Sequence, residues 1–320
     1  MDEMIKEEKR NESSRCLRAV LHLAAPHTWA ASIVPVLLGT MLRAALPGWD
    51  GSTAPTWGTA VAIFLLVLAA AILLQSSVNA INDYCDFVRG LDRLENSDDP
   101  NDAVLVYGNL SPERARLLGF AFLGAALLCG ILPVLRGGLS TLALGAVGCL
   151  VVIAYSAGKW PLCNYPLGEL VSGIAMGALL TAAAYSAFGG GVPPTVFLYS
   201  LPCVLGIAFI MMTNNLCDMD RDKVAGRRTL PLLLGHAKAM VVYRCGLCAW
   251  IGAIFVLVAA GFTGGLPRSA VLLAFALPYL ATQLQAKPCP ETRRRCMQGI
   301  VRLNFLLGAV YLAGVSGELF

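Results

Sequence analysis

Two short segments of this 320-residue chain place carboxylates and carboxamides at spacings that suit metal chemistry. Asn82-Asp83-Tyr84-Cys85-Asp86 and Asn214-Asn215-Leu216-Cys217-Asp218 match as Asn-Asp/Asn-x-Cys-Asp at an offset of 132 residues, and Asp220 and Asp222 follow the second. Residues four apart on a helix share a face. Asn82 and Asp86 therefore point one way, as do Asp218 and Asp222, while Asp220 points away and Asp83 lies on a neighbouring face. Two such pairs facing each other in apolar surroundings would repel and raise their own pKa values, unless a hard cation sits between them. Mg²⁺ is the expected one, because it prefers oxygen ligands and is usually shared between one or two carboxylates and substrate phosphates. Asn82, Asp86, Asp218 and Asp222 are the candidate ligands. His22, His27 and His236 lie apart, and no His or Cys stands in register to favour zinc or iron.

Beside the second segment runs Lys223-Val-Ala-Gly-Arg227-Arg228-Thr229. Cations this close to metal ligands suit a diphosphate, which carries more negative charge than the metals neutralise. They also suit a plain topology signal, the reading preferred for Lys238 and Arg244. A third segment reads Tyr155-Ser156-Ala-Gly-Lys159-Trp160-Pro161, followed by Leu167-Gly168-Glu169-Leu170. Glu169 opens a stretch that otherwise lacks charge, and acids inside a membrane usually face a cavity. Tyr155 and Lys159 read equally well as an interfacial aromatic and a snorkelling lysine or as site residues.

The elements that must position these groups are membrane helices. The chain is 57% hydrophobic and only 14% charged, with a mean hydropathy of +0.68. Soluble domains carry about 25% charged residues. Apolar runs near the ~20 residues needed to cross a bilayer fall at 28–47, 58–82, 115–135, 138–156, 166–188, 195–216, 238–262, 268–286 and 298–317. The expectation is an all-α bundle of nine spans, two four-helix halves plus one, with a polar tail at 1–25 and a single transmembrane domain at 26–320. With the N-terminus inside, 21 of the 24 Lys and Arg residues fall in inner segments, leaving Arg43, Arg136 and Arg268 outside. That asymmetry predicts cytoplasmic loops at 83–114, 157–165, 214–237 and 287–297, in a cell (inner or plasma) membrane. Both acidic segments then share the cytoplasmic face. A net charge of +4 gives no reason to expect nucleic acid as a partner. The eleven cysteines, spread through apolar runs, read as buried small hydrophobes. Arg293-Arg294-Arg295 reads as an anchor near anionic lipid.

The segments also carry a resemblance. The chain is similar to the UbiA superfamily of intramembrane prenyltransferases, most of all to its 1,4-dihydroxy-2-naphthoate polyprenyltransferase branch. Four blocks support this. They are Pro26-His-Thr-Trp through Pro35 to Gly39-Thr40, the run from Asn82 through Arg89-Gly90 to Asp92, the Tyr155-Ser156 to Glu169 block, and the run from Asn214 to Thr229. The resemblance implies a laterally open helical bundle that holds a polyprenyl diphosphate through Mg²⁺ between the two acidic motifs. It implies Asn82, Asp86, Asp218 and Asp222 as ligands, with Asp83, Asp92 and Asn215 in support. Lys159, Lys223 and Arg227 would contact the diphosphate, and Tyr155 would face the allylic carbon. The aromatic acceptor would be dihydroxynaphthoate, prenylated with loss of its carboxylate to give a demethylmenaquinone in its reduced, quinol form.

Two departures bear on the acceptor. The segment 95–102 is acidic where that branch carries Arg, and Cys217 stands where Arg is common. A different aromatic or quinone-precursor acceptor is the alternative within the superfamily. A secondary transporter is the alternative outside it, although acids gathered at one membrane face fit a midplane transport site poorly.

Overall fold

The structure is a computed structural model that describes residues 17–46, 55–92, 104–107 and 110–318. The acidic run 95–102 and most of the N-terminal tail lie outside the described residues. Among those described the chain is all helical. The principal helices are α1 (Ala30–Ala45), α2 (Trp57–Val88), α3 (Pro112–Ser156), α4 (Gly168–Ser186), α5 (Leu201–Cys217), α6 (Met219–Val224), α7 (His236–Gly261), α8 (Leu266–Gln285) and α9 (Arg293–Val315). Six helical stretches are long and apolar enough to cross a bilayer, seven if the bent pair Leu17–Thr28 and Ala31–Ala45 counts as one span.

The expected spans at 115–135 and 138–156 run together as the 45 residues of α3. The join is Gly138, whose φ of 63° and ψ of −148° depart from helical values, so one assigned helix contains a break. Only glycine adopts such a conformation without steric cost. α5, expected as a full span, is a 17-residue helix. The end of the polar N-terminal segment is helical over 17–24 and buries Ala19 and Leu23 against Ala80 of α2 and Val104, Leu105, Leu110 and Ala115. Asn79 Nδ2 holds that stretch in place, donating to Ala24 O at 3.3 Å and to Thr28 Oγ1 at 2.9 Å.

Lipid tails are as apolar as leucine, so packing and interhelical hydrogen bonds hold such bundles together, with small residues at the closest contacts. α4 shows this best. A Cβ on Gly177 would stand 2.5 Å from Val204 N of α5, and one on Gly39 of α1 only 2.3 Å from Thr181 O. Thr181 Oγ1 donates to Pro35 O at 3.3 Å, and Thr141 and Ser186 share a 2.8 Å hydrogen bond. The middle of α4, Gly173–Leu179, winds as a π-helix. The largest core cluster gathers Phe209 of α5, Tyr243, Leu247 and Trp250 of α7, and Leu303, Leu307 and Tyr311 of α9. These contacts pack α5, α7 and α9 against one another.

Candidate active site

The first acidic segment lies on an unbroken helix. α2 continues through Asn82 and Asp86 to Val88, and Asn82 Nδ2 donates to Asp86 Oδ2 at 3.4 Å, as the four-residue spacing predicts. Asn82 Oδ1 accepts from Ser156 Oγ at 2.7 Å, which ties the end of α2 to the end of α3. Gly90, with φ 70°, turns the chain out of the helix toward Asp92.

The second segment departs from the helical expectation. α5 stops at Cys217, and Asp218 takes a φ of −101° and ψ of 14° before the six-residue α6 begins. The link across the break survives, since Asp222 N donates to Asp218 O at 2.8 Å. The side chains nevertheless take different partners. Asp222 Oδ1 lies 3.5 Å from Arg227 Nη1, whereas Asp218 Oδ1 lies 3.2 Å from Arg293 Nε. Arg293 Nη2 also donates to Asn214 Oδ1 at 2.8 Å.

Arg227 joins the two segments. Its Nη2 donates to Asp86 Oδ1 at 2.6 Å while its Nη1 reaches Asp222, so one guanidinium holds residues from both motifs. Arg221 pairs with Asp92 and repeats the link one turn away. Arg228 N donates to Asn164 O at 2.8 Å, and Arg89 Nη2 donates to Gly158 O at 3.2 Å, so the 157–165 loop closes the cluster.

Charge is unusually buried here. Asp86 is 5% exposed and Asp222 3%. Desolvation pushes the Asp222 carboxyl up to about 6, and Asp218 adds to it, although Arg227 pulls the other way. Burial raises Asp92 as well, against the pull of Arg221. Burial works to lower the Arg227 guanidinium, but the charge of Asp86 and its hydrogen bond outweigh it and hold Arg227 further toward the charged form than usual. Asp222 Oδ2 and Arg227 Nε are both buried without a hydrogen-bond partner. The site thus keeps one acceptor oxygen and one cationic donor in reserve.

The remaining expected residues fall in three groups. Asn215 points away from the ion pairs and donates from Nδ2 to Glu169 Oε1 at 2.9 Å, leaving Glu169 Oε2 buried without a partner. Tyr155 OH accepts from Ser172 Oγ at 3.4 Å and lies 3.5 Å from Met211 Sδ. Lys159 and Lys223 are exposed and form no ion pair among the described residues, while Asp83 is part-buried. No three His, Cys, Asp or Glu side chains among the described residues converge as a metal-ligand group. The carboxylates are drawn onto guanidiniums instead, because an unpaired buried charge is far costlier than a paired one. The sequence reading missed Arg293: the basic run at 293–295 reads as an anchor, yet its first member reaches the second motif.

The UbiA prenyltransferase family matches residues 32–306. The chain is 32% identical over 220 residues to a 1,4-dihydroxy-2-naphthoate octaprenyltransferase of Bacillus subtilis, covering 69% of this chain and 67% of that protein. It is 30% identical over 309 residues to UbiA prenyltransferase domain-containing protein 1 of Danio rerio, covering 94% and 84%. Its fold is similar to that of a UbiA homolog from Archaeoglobus fulgidus bound to GPP and Mg2+, with a TM-score of 0.64 at 18% identity over 93% of this chain and 99% of that one. With motifs, fold and relatives in agreement, the chain belongs to the UbiA prenyltransferase family, as an intramembrane prenyltransferase.

Proposed function

We propose that the chain transfers a polyprenyl group from a polyprenyl diphosphate to an aromatic acceptor within the membrane, that it depends on Mg²⁺, and that the acceptor is 1,4-dihydroxy-2-naphthoate. The observation that carries the donor half is the meeting of Asp86 and Asp222, 136 residues apart, on Arg227. A buried site with a spare carboxylate oxygen and a spare guanidinium nitrogen suits a ligand of mixed charge, and a metal diphosphate is one. Asn82, Asp86, Asp218 and Asp222 would hold the metal. When bound, Mg²⁺ supplies electrostatic stabilisation of the charge that grows on the departing diphosphate.

The residues of the chain do the rest. Arg227 holds the two motifs together and offers its fork to phosphate oxygens. Lys159 and Lys223, exposed at the mouth, attract the anion. Asp83 and Asp92 support the metal ligands, and Asp92 keeps Arg221 in place. Tyr155 lies in the layer next to the apolar interior, where its ring would face the allylic carbon, and Asn215 fixes the Glu169 carboxylate beside it. An apolar surround keeps water from the allylic cation so that the aromatic ring captures it.

The acceptor assignment rests on similarity to the Bacillus enzyme. One observation favours a second reading. The Danio protein, whose name specifies no acceptor, aligns with more of this chain at nearly the same identity, so a different aromatic or quinone-precursor acceptor is the second reading. The number of crossings belongs to the proposal as well. At 1.5 Å per residue the 45 residues of α3 extend about 68 Å, more than twice the ~30 Å hydrocarbon core. We therefore read α3 as two spans meeting at Gly138, and α1 and α5 as one each, which restores nine. Lys and Arg placement sets the N-terminus and the site loops on the cytoplasmic side.

The test uses protein purified in detergent, a polyprenyl diphosphate and a panel of phenolic acids. Prenylated dihydroxynaphthoate is expected, abolished by EDTA and by Asp86→Ala with Asp218→Ala. Product that persists under EDTA would sink the metal reading. Prenylation of other phenols with dihydroxynaphthoate untouched would sink the acceptor reading alone.

A further inference from the structure

Arg293 stands where a helix gains nothing from a cation. The positive end of the helix dipole lies at the N-terminus, so basic residues in the first turn are disfavoured there. Arg293, Arg294 and Arg295 nevertheless open α9. The chain leading into them is stapled. Thr292 Oγ1 donates to Lys287 O at 2.8 Å, and Cys289 N donates to Thr292 Oγ1 at 3.1 Å. This turn fixes the entry of α9 beside the end of α5. From it Arg293 reaches Asn214 Oδ1 and Asp218 Oδ1, at 2.8 and 3.2 Å. The second motif is therefore gripped by two guanidiniums, Arg227 from its own loop and Arg293 from 79 residues beyond Asn214.

The two grips differ. The Arg227 side chain is 18% exposed and bound to two buried acids, whereas that of Arg293 is 34% exposed and holds the less buried Asp218. Arg293 is the more exposed of the two cations, on the less buried acid.

We propose that Arg293 competes with divalent metal for the Asn214 and Asp218 oxygens and, once displaced, becomes a ligand of the diphosphate. The proposal rests on the reading of this site as a metal–diphosphate site. A cation that takes Asp218 Oδ1 must push the guanidinium away. The freed guanidinium then has two parallel donors beside a newly arrived anion, an arrangement suited to phosphate oxygens. Removing Arg293 has two consequences of opposite sign. Metal alone meets an uncontested carboxylate and binds more tightly. The diphosphate loses a cation and binds more weakly. A side chain that merely supported the fold would not separate the two.

The experiment measures Mn²⁺ binding by electron paramagnetic resonance without substrate, and the KM for geranyl diphosphate at saturating metal, on the full chain in detergent. Arg293→Gln is expected to tighten Mn²⁺ by about threefold to fivefold, the range of a partly exposed ion pair. It is expected to raise the KM by about tenfold, the range of hydrogen bonds to charged groups. Arg294→Gln leaves both at the wild-type level. Arg293→Lys keeps the charge but loses the fork, so Mn²⁺ affinity stays near wild type while the KM rises. If Arg293→Gln binds Mn²⁺ no more tightly than wild type, or if its KM does not rise, the proposal is overturned. Should Arg293→Gln fail to fold, Arg293→Lys decides: a raised KM supports the proposal and an unchanged KM overturns it. Wild-type protein that binds neither Mn²⁺ nor geranyl diphosphate overturns the underlying site reading together with the proposal. Wild-type binding of both, with variants indistinguishable from it, overturns the role of Arg293 alone.

Discussion

The two acidic motifs share a residue pattern and differ in mechanics. The first rides on α2, a helix of 32 residues that carries Asn82 and Asp86 as fixed neighbours. The second straddles a break at Asp218, so Asp218 and Asp222 belong to different elements and pair with different arginines. One motif is a rigid wall, and the other is a short helix and loop held to it by ion pairs. A site that admits a charged substrate needs both, a fixed reference and a part that can adjust to the ligand.

The sharpest break in that comparison is loss of a carboxylate from each side. Asp86→Ala and Asp222→Ala are each expected to lower kcat/KM by more than about 10²-fold, the scale of losing one electrostatic stabiliser. Initial rates at saturating Mg²⁺ measure it, and a residual rate within tenfold of wild type would refute the pairing of the motifs. Arg227→Gln comes next. It leaves Asp86 and Asp222 without their shared cation, so apo stability falls by about 3–5 kcal/mol, the cost of breaking a buried pair. Added Mg²⁺ is expected to recover part of the melting temperature but little of the activity.

Titration separates the motifs further. Asp222, outside the membrane spans, is pushed from an ordinary 3.8 up to about 6 by burial. The metal-ligand role proposed for Asp222 requires its ionised form, so kcat/KM is expected to fall as pH drops through about 6. For stability the sign is reversed. The folded pKa lies above the unfolded one, so protonated Asp222 contributes stability that is fully present below about 3.8 and lost as pH rises to about 6. At neutral pH its charge is a net cost. Asp222→Asn is therefore expected to melt a few degrees above wild type without metal and to be inactive with it, and wild type, unlike Asp222→Asn, should gain melting temperature on adding Mg²⁺. A variant that melts lower at pH 7.5 would show that Arg227 outweighs desolvation.

The smallest effects probe the supports. Gly226 has φ 71° directly before Arg227, and Gly226→Ala is expected to cost about 1 kcal/mol by denaturation, with a larger relative loss of activity because Arg227 is displaced. Ser156→Ala removes only the hydrogen bond to Asn82 on the rigid side, with about 0.5–1.5 kcal/mol expected and activity within a few-fold of wild type.

The rigid motif was legible in the sequence and the jointed one was not, for a physical reason. Asn82 and Asp86 obey local helical geometry, which four-residue spacing encodes. The break at Asp218 has no glycine or proline to announce it, since 214–222 reads as one helix passing from apolar to polar. Arg227 was nominated by its proximity in sequence to Asp222, and it proved also to reach Asp86, 141 residues away. Arg293 was passed over because topology alone already explains three arginines at a helix start. Glu169 stood out as a lone acid, but its bond to Asn215 depends on how α4 packs on α5. The helix classes and apolar runs were plain from hydropathy. The boundary between the runs 115–135 and 138–156 was legible too, since it falls at Gly137-Gly138, where the 45-residue helix breaks.

The π-helical middle of α4 sets the phase between two sets of contacts. Before it, Glu169 and Ser172 address Asn215 and Tyr155, at the site. After it, Thr181 and Ser186 address Pro35 and Thr141, in the bundle. Each turn of π-helix accommodates more residues than a turn of α-helix, and such segments often act as single-residue insertions in an α-helical register. Rewinding the same residues as α-helix, with none removed, would turn one end relative to the other by about 100°. The bundle end is locked by close backbone contacts, so the site end would rotate, carrying Glu169 off Asn215 while leaving every charged residue in the chain. The winding of α4, and not only its composition, is thereby a determinant of the site.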